Sequence, residues 1–181
     1  MNSWMWYLTR STGIVAAVLA VASLVWGLFF SARNTGTKLK PNWWLALHNY
    51  LGGLTMFFIA FHMLVSFLDT DAGLRVVDLF IPSGAVGWSI GWGVVAFWLF
   101  LIVVLPSIAR VRRRLPRTAW HVVHLLSIPA VVLTAVHAYQ AGSDTLTTYF
   151  TRGLALLIGV AVYPVTIRLI GLVQRRRTAA A

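Results

Sequence analysis

A chain of 181 residues that is 59% hydrophobic and only 10% charged, with a mean hydropathy of +0.80, lies outside the range of soluble globular domains. It contains no cysteine, which excludes a disulfide framework, thiolate ligation and iron–sulfur clusters. Its net charge of +11 falls between apolar runs rather than on a soluble face, which argues against a nucleic-acid partner and for a lipid bilayer.

Each crossing of a bilayer takes about 20 apolar residues. Runs long enough to cross cover residues 12–31, 43–68, 86–108, 118–139 and 149–173. The expected fold is an all-α integral membrane protein, a bundle of five transmembrane helices forming one domain over residues 1–181, with no room for a separate soluble domain. The first run follows Arg10, as a secretory leader would follow a cation. It ends in bulky Trp26, Phe29 and Phe30 without a small-residue cleavage site, so it reads as a retained span. Between the second and third runs, Leu74, Val76, Val77, Leu79, Phe80 and Ile81, ended by Pro82, form a stretch too short to cross and read as an interfacial segment. The Gly87 and Gly91 spacing fits a helix-packing face, since no strand precedes it to make a nucleotide loop.

Cations set the expected orientation. Arg33, Lys38, Lys40, Arg110, Arg112, Arg113, Arg114, Arg117, Arg168, Arg175, Arg176 and Arg177 share one side of such a bundle, and Arg10, Arg75 and Arg152 share the other. The richer side is cytoplasmic by the positive-inside rule, which puts the N-terminus outside and the C-terminus inside. The acids Asp69, Asp71, Asp78 and Asp144 then fall outside. Trp4, Trp6, Trp43, Trp44, Trp88 and Trp120 fall near run ends, where interfacial aromatics belong.

One pattern is written twice: Trp44, His48, His62, Asp69, and then Trp120, His124, His137, Asp144. Ionisable side chains at membrane depth are costly and point to function, and neutral imidazole is a common metal ligand. The second and fourth helices run in the same direction, so His48 pairs in depth with His124, and His62 with His137. At 1.5 Å per residue the two levels lie about 20 Å apart, which suits two stacked metal centres, haems above other choices. His48 and His62 differ by about 40° around an ideal helix, whereas His124 and His137 differ by about 140°. The fourth helix therefore needs distortion, and Pro129 lies between its two histidines.

His121, one turn before His124 and close to the interface, reads as an ordinary interfacial histidine. Gly52 and Gly53, near His48, would let a porphyrin approach the backbone or let two helices pack closely. Arg10, Arg75 and Arg152 are the outer cations available to haem propionates. Lys38, Lys40 and Arg117 on the inner side read as membrane anchors. A rival reading from another class is a small transporter or scaffold whose intramembrane histidines bind protons or metal without haem.

The segments LHNYLGGLTMFFIAFH and WHVVHLLSIPAVVLTAVH, together with WYLTRSTGIVA and HAYQAGSD, resemble the ferric reductase-like transmembrane domain family. That family includes the membrane parts of NADPH oxidases and the haem subunit of bacterial methionine sulfoxide reductase systems. The resemblance covers most of the chain. It implies two b-type haems, an inner one on His48 and His124 and an outer one on His62 and His137, passing electrons singly from a cytoplasmic flavin donor to an outer acceptor. Family members often have six helices with ligands on the third and fifth, so ligands on the second and fourth of five correspond to loss of the first helix. The flavin is then expected on a separate cytoplasmic flavoprotein, or a quinol replaces it. The outer acceptor would be a ferric species, oxygen or a redox protein. On this reading the chain is the haem-bearing subunit of a cell-membrane oxidoreductase, with a quinone-linked cytochrome b anchor as the nearest alternative.

Overall fold

The computed structural model describes residues 3–31 and 41–180. Arg33, Lys38 and Lys40, which enter the charge count, lie outside the described residues, as do the side chains of Arg175 and Arg176. The described chain is helical: α1 (Ser3–Ser31), α2 (Pro41–Leu68), α3 (Trp88–Val104), α4 (Ala109–Arg112), α5 (Arg117–His124), α6 (Ser127–Ala141) and α7 (Thr148–Ala180). Five spans are long and apolar enough to cross a membrane: α1, α2, α3 with its following turn, α5 joined to α6, and α7. This is a multi-pass integral membrane protein.

Hydroxyl side chains inside these helices bond back to the carbonyl four residues earlier, as Thr12 does to Leu8, Thr55 to Leu51 and Thr134 to Ala130. No hydroxyl proton of these three is left bare in a medium without water. Large apolar side chains such as Phe57, Leu64 and Val132 face outward, where lipid covers them.

The helices pair as two antiparallel hairpins. α1 packs along α2, α3 packs along α6, and α7 lies mainly against α1. The two hairpins touch each other more sparsely, which leaves space between them for the histidines of α2 and of α5 and α6. Halfway along the bundle this space is closed by Ala20, Val21 and Leu24 of α1, Phe100 of α3, Ala130 and Val131 of α6, and Ala161 of α7.

Two boundaries differ from the sequence reading, and the interfacial stretch gains detail. α1 begins at Ser3, about two and a half turns before residue 12, so Arg10 is inside the helix rather than flanking it; an ion pair described below compensates its charge. The fourth span is two helices, not one, with a tight turn at Leu125 and Leu126. The interfacial stretch is a short 3-10 turn, Val76–Leu79, in which Val76 and Val77 face out and Asp78 is buried. Gly87, at φ +90°, then turns the chain into α3 with a backbone that a side chain would strain.

Candidate functional site

His48 and His62 stand fourteen residues apart on α2, on the face turned toward α1. Each imidazole donates its Nδ1–H to a backbone carbonyl there, His48 to Ser23 at 3.1 Å and His62 to Thr9 at 2.9 Å. A helix carbonyl already accepts from the amide four residues on, and the side chain at that position normally stands beside it. Here that position is glycine: Gly27 follows Ser23 and Gly13 follows Thr9. A Cβ on Gly27 would lie 2.9 Å from His48 Cε1, and one on Gly13 would lie 3.1 Å from His62 Cε1. The missing side chains are what let the rings reach the carbonyls.

The second hairpin repeats the device. His137 donates Nδ1–H to the Ser89 carbonyl at 2.7 Å, and a Cβ on Gly93 would lie 2.8 Å from that nitrogen. The fourth seat differs. Ser107 stands fourteen residues after Gly93, and its hydroxyl donates to the Val103 carbonyl at 2.8 Å. The same oxygen accepts from Trp120 Nε1 at 3.2 Å and from His124 Nδ1 at 3.4 Å, which fills its hydrogen-bonding capacity. Trp120 stacks on the His124 ring at 4.7 Å, and the Arg112 guanidinium lies 4.4 Å from the centre of Trp120 on the basic side of the bundle.

The phase mismatch between His124 and His137 is relieved where α5 gives way to α6. The amides of Leu126 and Ile128 bond three residues back, to Val123 and Leu125, and Pro129 has no amide to offer the Leu125 carbonyl. Residues wound in this tighter way advance about 120° and rise about 2.0 Å each, against about 100° and 1.5 Å in an α-helix. Four of them recover about 80° of the 140° and add about 2 Å, close to the rise of the residue by which this spacing falls short of fourteen.

As a result the rings meet in two pairs. His48 and His124 have ring centres 5.8 Å apart, and His62 and His137 have theirs 6.2 Å apart, with planes inclined at 68° and 70°. With Nδ1–H donated, the Nε2 of a neutral imidazole is the atom left to bind a metal. Two imidazoles bound to one metal from opposite sides, at about 2.0–2.1 Å each, hold their ring centres about 6 Å apart.

The donor set fits a metal carried in a macrocycle. Among the described residues no three His, Cys, Asp or Glu side chains converge, whereas a bare ion such as zinc takes three or four protein ligands. Two nitrogens per level suit an iron whose other four positions come from a porphyrin. Each level also has a buried polar atom without a partner among the described residues, Thr9 Oγ1 beside His62 and Trp44 Nε1 one turn from His48. A cavity of about 320 Å³ opens at the His62 and His137 level, lined by Gly13, Gly93, Arg10 and Phe150 among others.

Arg10 sits at that cavity with its side chain 15% exposed. It pairs with Asp144 at 2.8 Å, donates to Ser143 at 3.0 Å and lies over the rings of Trp6 and Phe150, tying α1 to the turn between α6 and α7. Arg75 instead grips Asp78 through two side-chain bonds of 3.0 Å and is 69% exposed. These bonds hold the Asp78 carboxyl below its ordinary range. Arg152 and His121 are exposed. Gly52 faces Ser23 in ordinary packing, with its Cβ position 3.8 Å from Ser23 Oγ, and Gly53 has nothing within 4 Å.

Ser107, Gly13, Gly27 and Gly93 escaped the sequence reading. Their signal was the fourteen-residue interval, shared by Gly13 and Gly27, by Gly93 and Ser107, and by His48 and His62.

A family model described as ferric reductase like transmembrane component matches residues 12–135, which include three of the four histidines above. A cytochrome b561 and DOMON domain-containing protein of Arabidopsis thaliana is 29% identical over 103 residues, covering 57% of this chain and 22% of that protein. The chain thus spans about a fifth of that relative's length. No solved structure matches. Family and relative together support a membrane component of haem-type electron transfer.

Proposed function

This chain belongs to the family of ferric reductase like transmembrane components, and on that premise we propose that it is a two-haem b-type cytochrome carrying electrons across the cell membrane. The observation that carries this reading is the pair of imidazoles at each of two levels, 5.8 and 6.2 Å between ring centres, with each ring's hydrogen bond among the described residues made through Nδ1. His48 and His124 hold the inner haem, and His62 and His137 the outer one. Bound there, haem supplies one-electron chemistry at iron.

The chain's own residues hold, orient and insulate. Carbonyls of Ser23, Thr9 and Ser89, and the Ser107 hydroxyl, fix the tautomer of each ligand and aim its Nε2. Ala20, Phe100 and Ala130 keep water from the layer between the levels. Arg10, with Arg75 and Arg152 farther out, faces anionic groups at the outer level. Held between two histidines at each level, a haem would have no protein-free place for substrate at its iron and would supply outer-sphere electron transfer.

The basic segment of α4 lies at the His48 and His124 level through Arg112, and the positive-inside rule makes that end cytoplasmic. Electrons then enter from a cytoplasmic flavoprotein or quinol and leave to a ferric species, oxygen or a redox protein outside. A dithionite-reduced minus oxidised visible spectrum of the purified protein, with haem measured per polypeptide, tests this. About two low-spin b haems per chain are expected. Protein from haem-sufficient cells with no Soret band would overturn the reading in favour of a haem-free transporter or scaffold.

A further inference from the structure

Resting on that reading, we propose that Ser107 is a positioning residue that weakens His124 as an electron donor to its metal, and so sets the reduction potential of the His48 and His124 centre separately from the other. Three of the four imidazoles give their Nδ1–H to helix carbonyls, at 3.1, 2.9 and 2.7 Å. The fourth gives it to a hydroxyl, at 3.4 Å. That hydroxyl oxygen is shared with the Trp120 indole, and its own proton is committed to the Val103 carbonyl.

A strong acceptor at Nδ1–H makes the opposite nitrogen more basic, and a more basic ligand favours the oxidised metal. His124 has the longest of the four bonds, and its acceptor is a hydroxyl oxygen, a weaker acceptor than a peptide carbonyl. It is therefore the least basic ligand of the four, and its centre is held at a higher potential than a fourth carbonyl seat would give. The cause is a single substitution in a repeated device. Ser107 occupies the place relative to Gly93 that Gly27 occupies relative to Gly13, and it interposes a hydroxyl between the imidazole and the Val103 carbonyl.

Two replacements at this position act in opposite directions. Ser107→Gly uncovers the Val103 carbonyl, lets His124 bond to it as the other three histidines bond to theirs, and lowers the potential of that centre. Ser107→Ala keeps a Cβ in the way and removes the acceptor, which leaves the His124 Nδ1–H unpartnered and raises the potential. Trp120→Phe keeps an aromatic ring on His124 but removes the competing indole donor, and it shifts the potential in the same direction as Ser107→Gly.

The test is a potentiometric titration of the purified, haem-loaded protein, following the reduced α band, for the parent and these three variants. Opposite shifts of one midpoint for Ser107→Gly and Ser107→Ala, with the second midpoint unmoved, are expected. Shifts of the same sign, no shift, or loss of haem from Ser107→Gly would overturn the role of Ser107 while leaving the two-haem reading intact. A parent protein without haem would overturn both. Trp120→Phe reports on the same bond if either serine variant fails to accumulate.

Discussion

The Nδ1 of His137 lies 2.7 Å from the carbonyl oxygen of Ser89, and the next turn of that helix carries Gly93, whose missing side chain leaves the approach open. Adding one methyl group there places it 2.8 Å from the ring nitrogen, closer than real Cβ contacts come. Gly93→Ala must push His137 off its carbonyl and out of line with His62. Overpacking of this kind costs about 1–3 kcal/mol, partly offset by the better helix propensity of alanine. The expected result is loss of one of two haems. Gly159→Ala, on α7 with nothing within 4 Å of its Cβ position, should keep both. Pyridine haemochrome assay per polypeptide separates the two variants.

The two ring pairs lie in separate layers with an apolar cluster between them, so their ligands should fail independently. His62→Ala or His137→Ala is expected to leave one haem per chain, and His48→Ala or His124→Ala should remove the other. Survival of both haems in any of these variants would show that the pairing is wrong.

Asp78 gives a pH dependence whose sign follows from its bonds. Arg75 donates to it from the side chain and the backbone, and these hydrogen bonds lower the carboxyl's pKa below the ordinary 3.8. Lowering means the charged form is favoured in the folded turn, so its contribution is complete above 3.8, declines below it, and is gone once pH has fallen through the native value. The turn carries a reporter: Trp98 Nε1–H bonds to the Phe80 carbonyl at 2.8 Å. The Trp98 indole resonance should be constant from neutral pH down to about pH 4 and move below it. In Asp78→Asn it should already be displaced at neutral pH and insensitive to acid. A parent protein whose Trp98 signal moves near neutral pH would contradict this assignment.

The spans, the two histidine levels and their partners were legible in the sequence because depth follows from residue count along helices that must cross a slab of fixed thickness. His48 and His124 could be matched by their common distance from Trp44 and Trp120 without any knowledge of packing. What faces each histidine was not legible in the same way, because it lies on the other helix of the hairpin. Gly13, Gly27 and Gly93 look like ordinary membrane-helix glycines until α1 is laid on α2 and α3 on α6. The break at Leu125 was half visible: Pro129 announced a distortion, but the tightened turns that recover part of the phase are a backbone property that composition does not encode. Arg10 was misjudged as a flank because its counterion, Asp144, is far away in sequence.

The apolar layer around Phe100 has an electrical consequence. None of the side chains that close it, from Ala20 to Ala161, can be ionised, so the layer offers no relay for a proton to accompany an electron. On the proposed reading each turnover moves a naked negative charge from an inside-negative compartment outward, a passage favoured by about 2.3 kcal/mol per 100 mV. Such a protein discharges the membrane as it works, and its current is sustained only while some other route returns the balancing ion.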